Sequence, residues 1–84
     1  MLNETRNYIP KVTMLTAEET GEALQTTADK IHTFRNCGLL RGIKTGKNWM
    51  FSQSEIERFQ NEMIGMDLSN PTAIEKVLHE RTLA

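Results

Sequence analysis

TTADKIHTFRNCGLLRGIKTGKNWMF, residues 26 to 51, carries the pattern on which the fold turns. The first half reads as a helix. Thr27 is placed to cap it, Ile31 and Phe34 recur three apart on one face, and Gly38 supplies the left-handed residue that commonly ends a helix. A helix over about 28 to 37 follows. The second half changes period. IKT, GKN and WMF alternate apolar and polar side chains about a Gly-containing link of three residues, which predicts a β-hairpin. With that link Ile43, Thr45, Trp49 and Phe51 share one face, while Lys44 and Met50 take the other.

Upstream, Thr16 and Glu19 in TAEE fit a capping box that opens a helix over about 17 to 24. Leu15, Thr20, Ala23 and Leu24 would face the core, and Gly21 weakens so short a helix by about 1 kcal/mol relative to Ala. Only Gln25, Thr26 and Thr27 separate the two helices, the short connection of a helix-turn-helix unit. Residues 1–12 have neither helical nor strand period, and Pro10 restricts Ile9 to extended geometry, so a loose arm ending in a short extended entry is expected there. Downstream, Ser52 and Glu55 fit a second capping box. Ile56, Phe59, Met63 and Ile64 then recur at helical spacing, predicting a helix over about 53 to 64 that closes the core.

GMDLSN breaks the pattern at 65–70, and Pro71 suits the first position of a last helix reaching about 82. Ile74, Val77, Leu78 and Arg81 fall on one face of it, which reads as a partner-binding tail. The expected organisation is thus an arm at 1–12, a domain at 13–64, and a linker with C-terminal helix at 65–84. The fold class is mainly α with a small β-hairpin wing.

Eighty-four residues bury one modest core and leave little room for an enclosed cleft, so a binding module is expected rather than an enzyme. The formal net charge is −1, but residues 27–50 carry five basic side chains against Asp29 alone, a local excess of +4 between acidic flanks. Cys37 is the single cysteine, so no internal disulfide forms. With no signal-peptide pattern or long apolar run, a cytoplasmic protein is expected, on the nucleoid when DNA-bound. His32 and His79 lie far apart and Cys37 has no neighbouring ligand, so no metal is expected. Gly46-Lys47 lacks the rest of a phosphate loop, because residue 41 is Arg and residue 48 is Asn. No catalytic residue, cofactor or small-molecule ligand is implied.

The basic segment has the order that DNA recognition needs. The second helix of a helix-turn-helix enters the major groove, and its candidate reading residues are Thr27, Ala28, Asp29, Lys30, His32, Thr33 and Asn36. Asp accepts from cytosine N4, Asn pairs with adenine, and Thr meets a phosphate or a base methyl. Arg41, Lys44, Lys47 and Asn48 on the hairpin and its flank would meet the phosphate backbone or enter the minor groove beside the helix. Arg35 lies beside the apolar stripe, so its stem packs while its head reaches a phosphate. Trp49 is expected in the core and Cys37 as a small buried filler.

LTAEETGEAL, TTADKIHTFRNCGLL, GIKTGKNWMF and SQSEIERF together resemble the small winged-helix DNA-binding proteins of the MerR-like and excisionase superfamily, over about residues 14 to 60. The chain departs from that pattern where the family usually has a Gly-Val pair, here Gln25 and Thr26, and where it has small or aliphatic residues, here Thr20 and Gly21. A MerR-type activator continues into a long dimerising helix and an effector domain. These residues do not, which favours the excisionase, or recombination directionality factor. The resemblance implies double-stranded DNA as partner, cooperative self-association on repeated sites, DNA bending, and cooperation with a tyrosine integrase. The alternatives are a small MerR-like repressor of a phage or transposon, and a protein-interaction module. Absence of a heptad seam predicts a monomer in solution.

Overall fold

In the computed structural model, which describes residues 13–83, the chain runs β1 (Met14–Thr16), α1 (Ala17–Ala23), α2 (Ala28–Asn36), β2 (Ile43–Lys44), β3 (Trp49–Ser52), α3 (Gln53–Glu62) and α4 (Pro71–Leu83). The arm expected at 1–12 lies outside the described residues. The three strands form one antiparallel sheet in the order β1-β3-β2. The fold is therefore mostly helical with a small sheet. β1 was not anticipated: it pairs Leu15 with Phe51, and three residues are too few for alternation to reveal a strand.

Local chemistry sets the helix starts. Thr16 Oγ1 accepts from the Glu19 N–H at 3.1 Å, and Glu19 Oε1 accepts from the Thr16 N–H at 2.9 Å, so the expected capping box is complete. Thr27 Oγ1 accepts from the Lys30 N–H at 3.2 Å and opens α2. At α3 only half of the box forms. Ser52 Oγ accepts from the Glu55 N–H at 3.1 Å, but the Glu55 carboxylate turns away to two arginines.

The turn between α1 and α2 depends on two backbone features. Gln25 has φ 61°, the left-handed region that costs a non-glycine residue roughly 1–2 kcal/mol. Gly21 sits so close to the start of α2 that a Cβ there would lie 2.9 Å from the Thr27 carbonyl carbon and 3.1 Å from Thr26 O. Its missing side chain lets the two helices meet, which outweighs the helix propensity it forfeits. Thr20, fully buried, satisfies its hydroxyl by donating to Thr16 O at 2.7 Å.

Ile31, Phe34, Leu39, Leu40, Phe51, Ile56, Phe59 and Met63 form the core, with Phe34 and Phe59 rings 5.2 Å apart. Two expectations fail here. Ala23 is exposed while Ala17 is buried, and Ile64 is 76 % exposed because α3 ends at Glu62 and the chain turns at Gly65 with φ 85°.

The hairpin and the tail need larger corrections. The link between β2 and β3 is Thr45–Asn48, four residues rather than three, so Ile43 pairs with Met50 and Lys44 with Trp49. Directly opposed residues share a face, so one extra loop residue swaps the two sides of β2. Ile43 therefore leaves the Trp49 face and is 52 % exposed, and Lys44 takes its place beside Trp49. In α4, Ile74 and Val77 are each only 5 % exposed and belong to the same core cluster, with Leu68 and Leu78 packed against it. They face this domain, not a partner. Arg81 Nη2 donates to Glu62 Oε1 at 3.2 Å, tying α4 to α3.

Two stability measurements check this account. Gln25→Gly removes the left-handed strain at some cost in unfolded-chain entropy, so it should raise stability by about 0.5–1 kcal/mol in a denaturant titration. Ile74→Ala should lower it by about 2–4 kcal/mol, whereas a free tail would tolerate the change without loss.

Candidate nucleic-acid interface

The residues of α2 divide by burial into three bands. Ile31 and Phe34 point to the core, and Asp29, Thr33 and Asn36 form an exposed stripe at the i, i+4, i+7 spacing of one helix face. His32 and Arg35 lie half-buried along one flank, and Lys30 along the other. Of the reading residues expected from the sequence, the structure brings Asp29, Thr33 and Asn36 to a common surface. Ala28 instead packs against the core, and the Thr27 hydroxyl is engaged as the cap. Lys30 lies near Asp67 in the link to α4. The Ser69 hydroxyl and N–H hold the Asp67 carboxyl below its usual range, and Lys30 adds to the effect.

The hairpin lies on the His32 and Arg35 side of α2. Lys47, Asn48 and Trp49 line a groove of about 180 Å³ with His32, Thr16, Ala17 and Glu18, so the hairpin tip and the helix share one concave surface. The cations around it are sorted by pairing. Arg41, Arg58 and Arg81 each have a carboxylate within 4 Å, while Lys30, Arg35, Lys44 and Lys47 have none among the described residues. Arg41, expected to be a free phosphate ligand, is 73 % exposed but shares Glu55 with Arg58, so part of its charge is already compensated.

Arg35, whose head was expected to reach a phosphate, lies over Trp49. Its guanidinium carbon lies 4.3 Å from the centroid of the Trp49 ring, and its buried Nε makes no hydrogen bond. A stack of this kind is worth about 0.5–2 kcal/mol, while an unsatisfied buried donor costs about 1–3 kcal/mol, so the arrangement gains little stability. Gly42 closes against the same group. A Cβ there would lie 3.0 Å from Phe51 Cε1, 3.2 Å from Trp49 Cε3 and 3.3 Å from Arg35 Cδ.

A polar brace holds the hairpin root. Glu55 Oε2 accepts from the Arg41 N–H at 2.9 Å and is also bound by Arg58 Nη2. That same nitrogen donates to the Leu39 carbonyl at 2.8 Å, and Arg58 Nη1 reaches Glu62 at 2.6 Å. Glu55 is only 10 % exposed. The Arg58 hydrogen bond, helped by the backbone N–H and side chain of Arg41 and opposed by burial, lowers its pKa from 4.5 to about 2. Of this only the capping role of Glu55 was expected; the Glu55–Arg58 and Arg58–Glu62 pairs are three and four positions apart and were missed, and the contacts to Arg41 and the Leu39 carbonyl span 14 and 19 positions.

Among the described residues no group of three or more His, Cys, Asp or Glu converges, and no helix is long and apolar enough to cross a membrane.

The brace has a pH signature. Because the folded pKa of Glu55 lies below its unfolded value, its contribution is complete above about pH 4.5 and is lost as pH falls towards 2. Glu55→Gln should cost about 1–3 kcal/mol at pH 7, and the gap to wild type should close across that acid window in pH-dependent melts. No family model, curated protein or solved structure matches the chain.

Proposed function

We propose that this protein binds double-stranded DNA as a winged helix-turn-helix module, with α2 as the reading helix and the β2–β3 hairpin as the wing. The observation that carries the reading is the exposed stripe of Asp29, Thr33 and Asn36 bordered by the unpaired cations Arg35, Lys44 and Lys47, on a chain whose formal net charge is −1. Of the described cations without a carboxylate, all but Lys76 of α4 lie on α2 or the hairpin, which gives the polar helix face a flank matched to a phosphate backbone next to base edges. In this reading Asn36 pairs with adenine, Asp29 accepts from cytosine, and Thr33 meets a base methyl or phosphate. Lys44, Lys47 and Asn48 hold the backbone beside the groove.

The left-handed Gln25 supports the same reading, since it stands where the resembling family usually has Gly. The role proposed is that of an excisionase, which bends attachment-site DNA and assists a tyrosine integrase in removing a mobile element. Bending costs on the order of 1–6 kcal/mol, so neighbouring copies or integrase contacts must offset it. With Ile74 and Val77 buried, such contacts fall to the outward side of α4 and to the exposed Ile64 and Met66 at the turn before it.

Footprinting across the attachment region of the source element, with and without integrase, tests the role. Protection of several direct repeats with bending supports excision; protection confined to a promoter transfers the reading to a repressor. The DNA mode has its own test. With about three to four phosphates neutralised, log affinity should fall against log salt with a slope of about −3 to −4, and the Lys44→Ala, Lys47→Ala double variant should make it shallower by about 2 without lowering the melting temperature. No binding to any fragment at about 50 mM salt, where electrostatic attraction is strong, would leave a protein-interaction module instead.

A further inference from the structure

We propose that Arg35 is a positioning residue for the wing: it fixes the distance and tilt between reading helix and hairpin, and thereby separates specific from non-specific DNA binding. The proposal rests on the DNA-binding reading above. Its physical basis is how little else holds the outer hairpin. β2 has two residues, and a ladder that short has little stability of its own. β3 is anchored at Phe51, which is fully buried and paired with Leu15 of β1. Beyond Phe51 towards the tip, the hairpin is tied to α2 by the Arg35 guanidinium lying on Trp49. Gly42 presses against Phe51, Trp49 and Arg35 together, so helix, hairpin root and ring meet at one joint.

Arg35 is poorly chosen for stability alone. It has no carboxylate partner among the described residues, and its buried Nε is unbonded. A methionine would fill the same stem volume without an orphaned donor. What the guanidinium adds is a flat, charged plate on a flat ring, which restricts how the wing can tilt. Simultaneous contact of α2 with bases and of Lys44 and Lys47 with phosphates needs that geometry in advance, because a loose wing must be ordered on binding. Non-specific binding needs phosphates alone and tolerates a loose wing.

The test uses the full chain, a duplex selected by it from a random-sequence pool, and a scrambled duplex of equal length and composition. The variants are Arg35→Met, Arg35→Lys, and Lys47→Ala as a phosphate-contact control. Trp49 is the only tryptophan, so its emission reports the joint directly. Arg35→Met should keep the melting temperature and salt slope, alter Trp49 emission, and reduce the ratio of selected to scrambled affinity by about 2- to 30-fold, the span such a stack is worth. Arg35→Lys should fall between it and wild type. Lys47→Ala should weaken both duplexes alike and make the slope shallower by about 1.

If Arg35→Met behaves as Lys47→Ala does, Arg35 is a direct phosphate ligand and the positioning role is overturned. An unchanged affinity ratio overturns it too, whatever Trp49 reports. A wild-type chain that enriches no duplex removes the DNA reading and this role with it, an outcome distinct from a specific wild type whose Arg35→Met variant keeps its specificity.

Discussion

The relation between α2 and the hairpin is held by a helix that comes after both. Arg58 and Glu55 of α3 bind the Leu39 carbonyl and the Arg41 N–H, the backbone groups of the segment that leaves α2 and enters β2. Leu39 and Leu40 anchor that segment from below, at 1 % and 0 % exposure. The ion pair is effective because Glu55 and Arg58 are largely shielded, at 10 % and 25 % exposure, and because both also bind backbone. Arg41, on the same carboxylate but 73 % exposed, adds little. The brace fixes the root of the hairpin against the end of α2, while the outer hairpin meets α2 through Trp49 and Arg35.

This arrangement explains how an acidic chain keeps a basic surface. Glu55 and Glu62 are used up on Arg41, Arg58 and Arg81, which lie on the α3 side of the molecule. Among the described residues the cations left without carboxylates are Lys30 and Arg35 on α2, Lys44 and Lys47 on the hairpin, and Lys76 on α4. Pairing, rather than total charge, decides which lysines and arginines can meet an outside anion, and composition cannot supply that information.

What could be read from the chain was whatever depended on neighbours in sequence. Thr16, Thr27 and Ser52 announce helix starts because a cap acts over three residues, and Ile31 with Phe34 shows a buried face for the same reason. The exposed stripe on α2 followed from that face. Hairpin parity was not legible, because it turns on whether Thr45 belongs to strand or loop, and both suit its composition. The fate of α4 was equally hidden: Ile74 and Val77 make the same apolar stripe whether it covers its own domain or another protein. The Glu55–Arg58–Glu62 row has legible i,i+3 and i,i+4 spacing, but its contacts to Arg41 and the Leu39 carbonyl and the Arg35 contact with Trp49 join residues 14 to 19 apart, beyond any local pattern.

The four-residue loop at Thr45–Asn48 has a consequence for how this hairpin can vary in evolution. β3 is anchored on its far side by β1 and cannot slide without withdrawing Phe51 from the core. A one-residue change in pairing register would therefore be taken up by β2, exchanging Ile43 and Lys44 between the two faces of the sheet. The choice of which residues enter the loop thus acts as a parity switch for surface charge, moving a lysine from one side to the other with no change in the strand's own sequence. Slips of two residues would preserve the charged face, and slips of one would invert it.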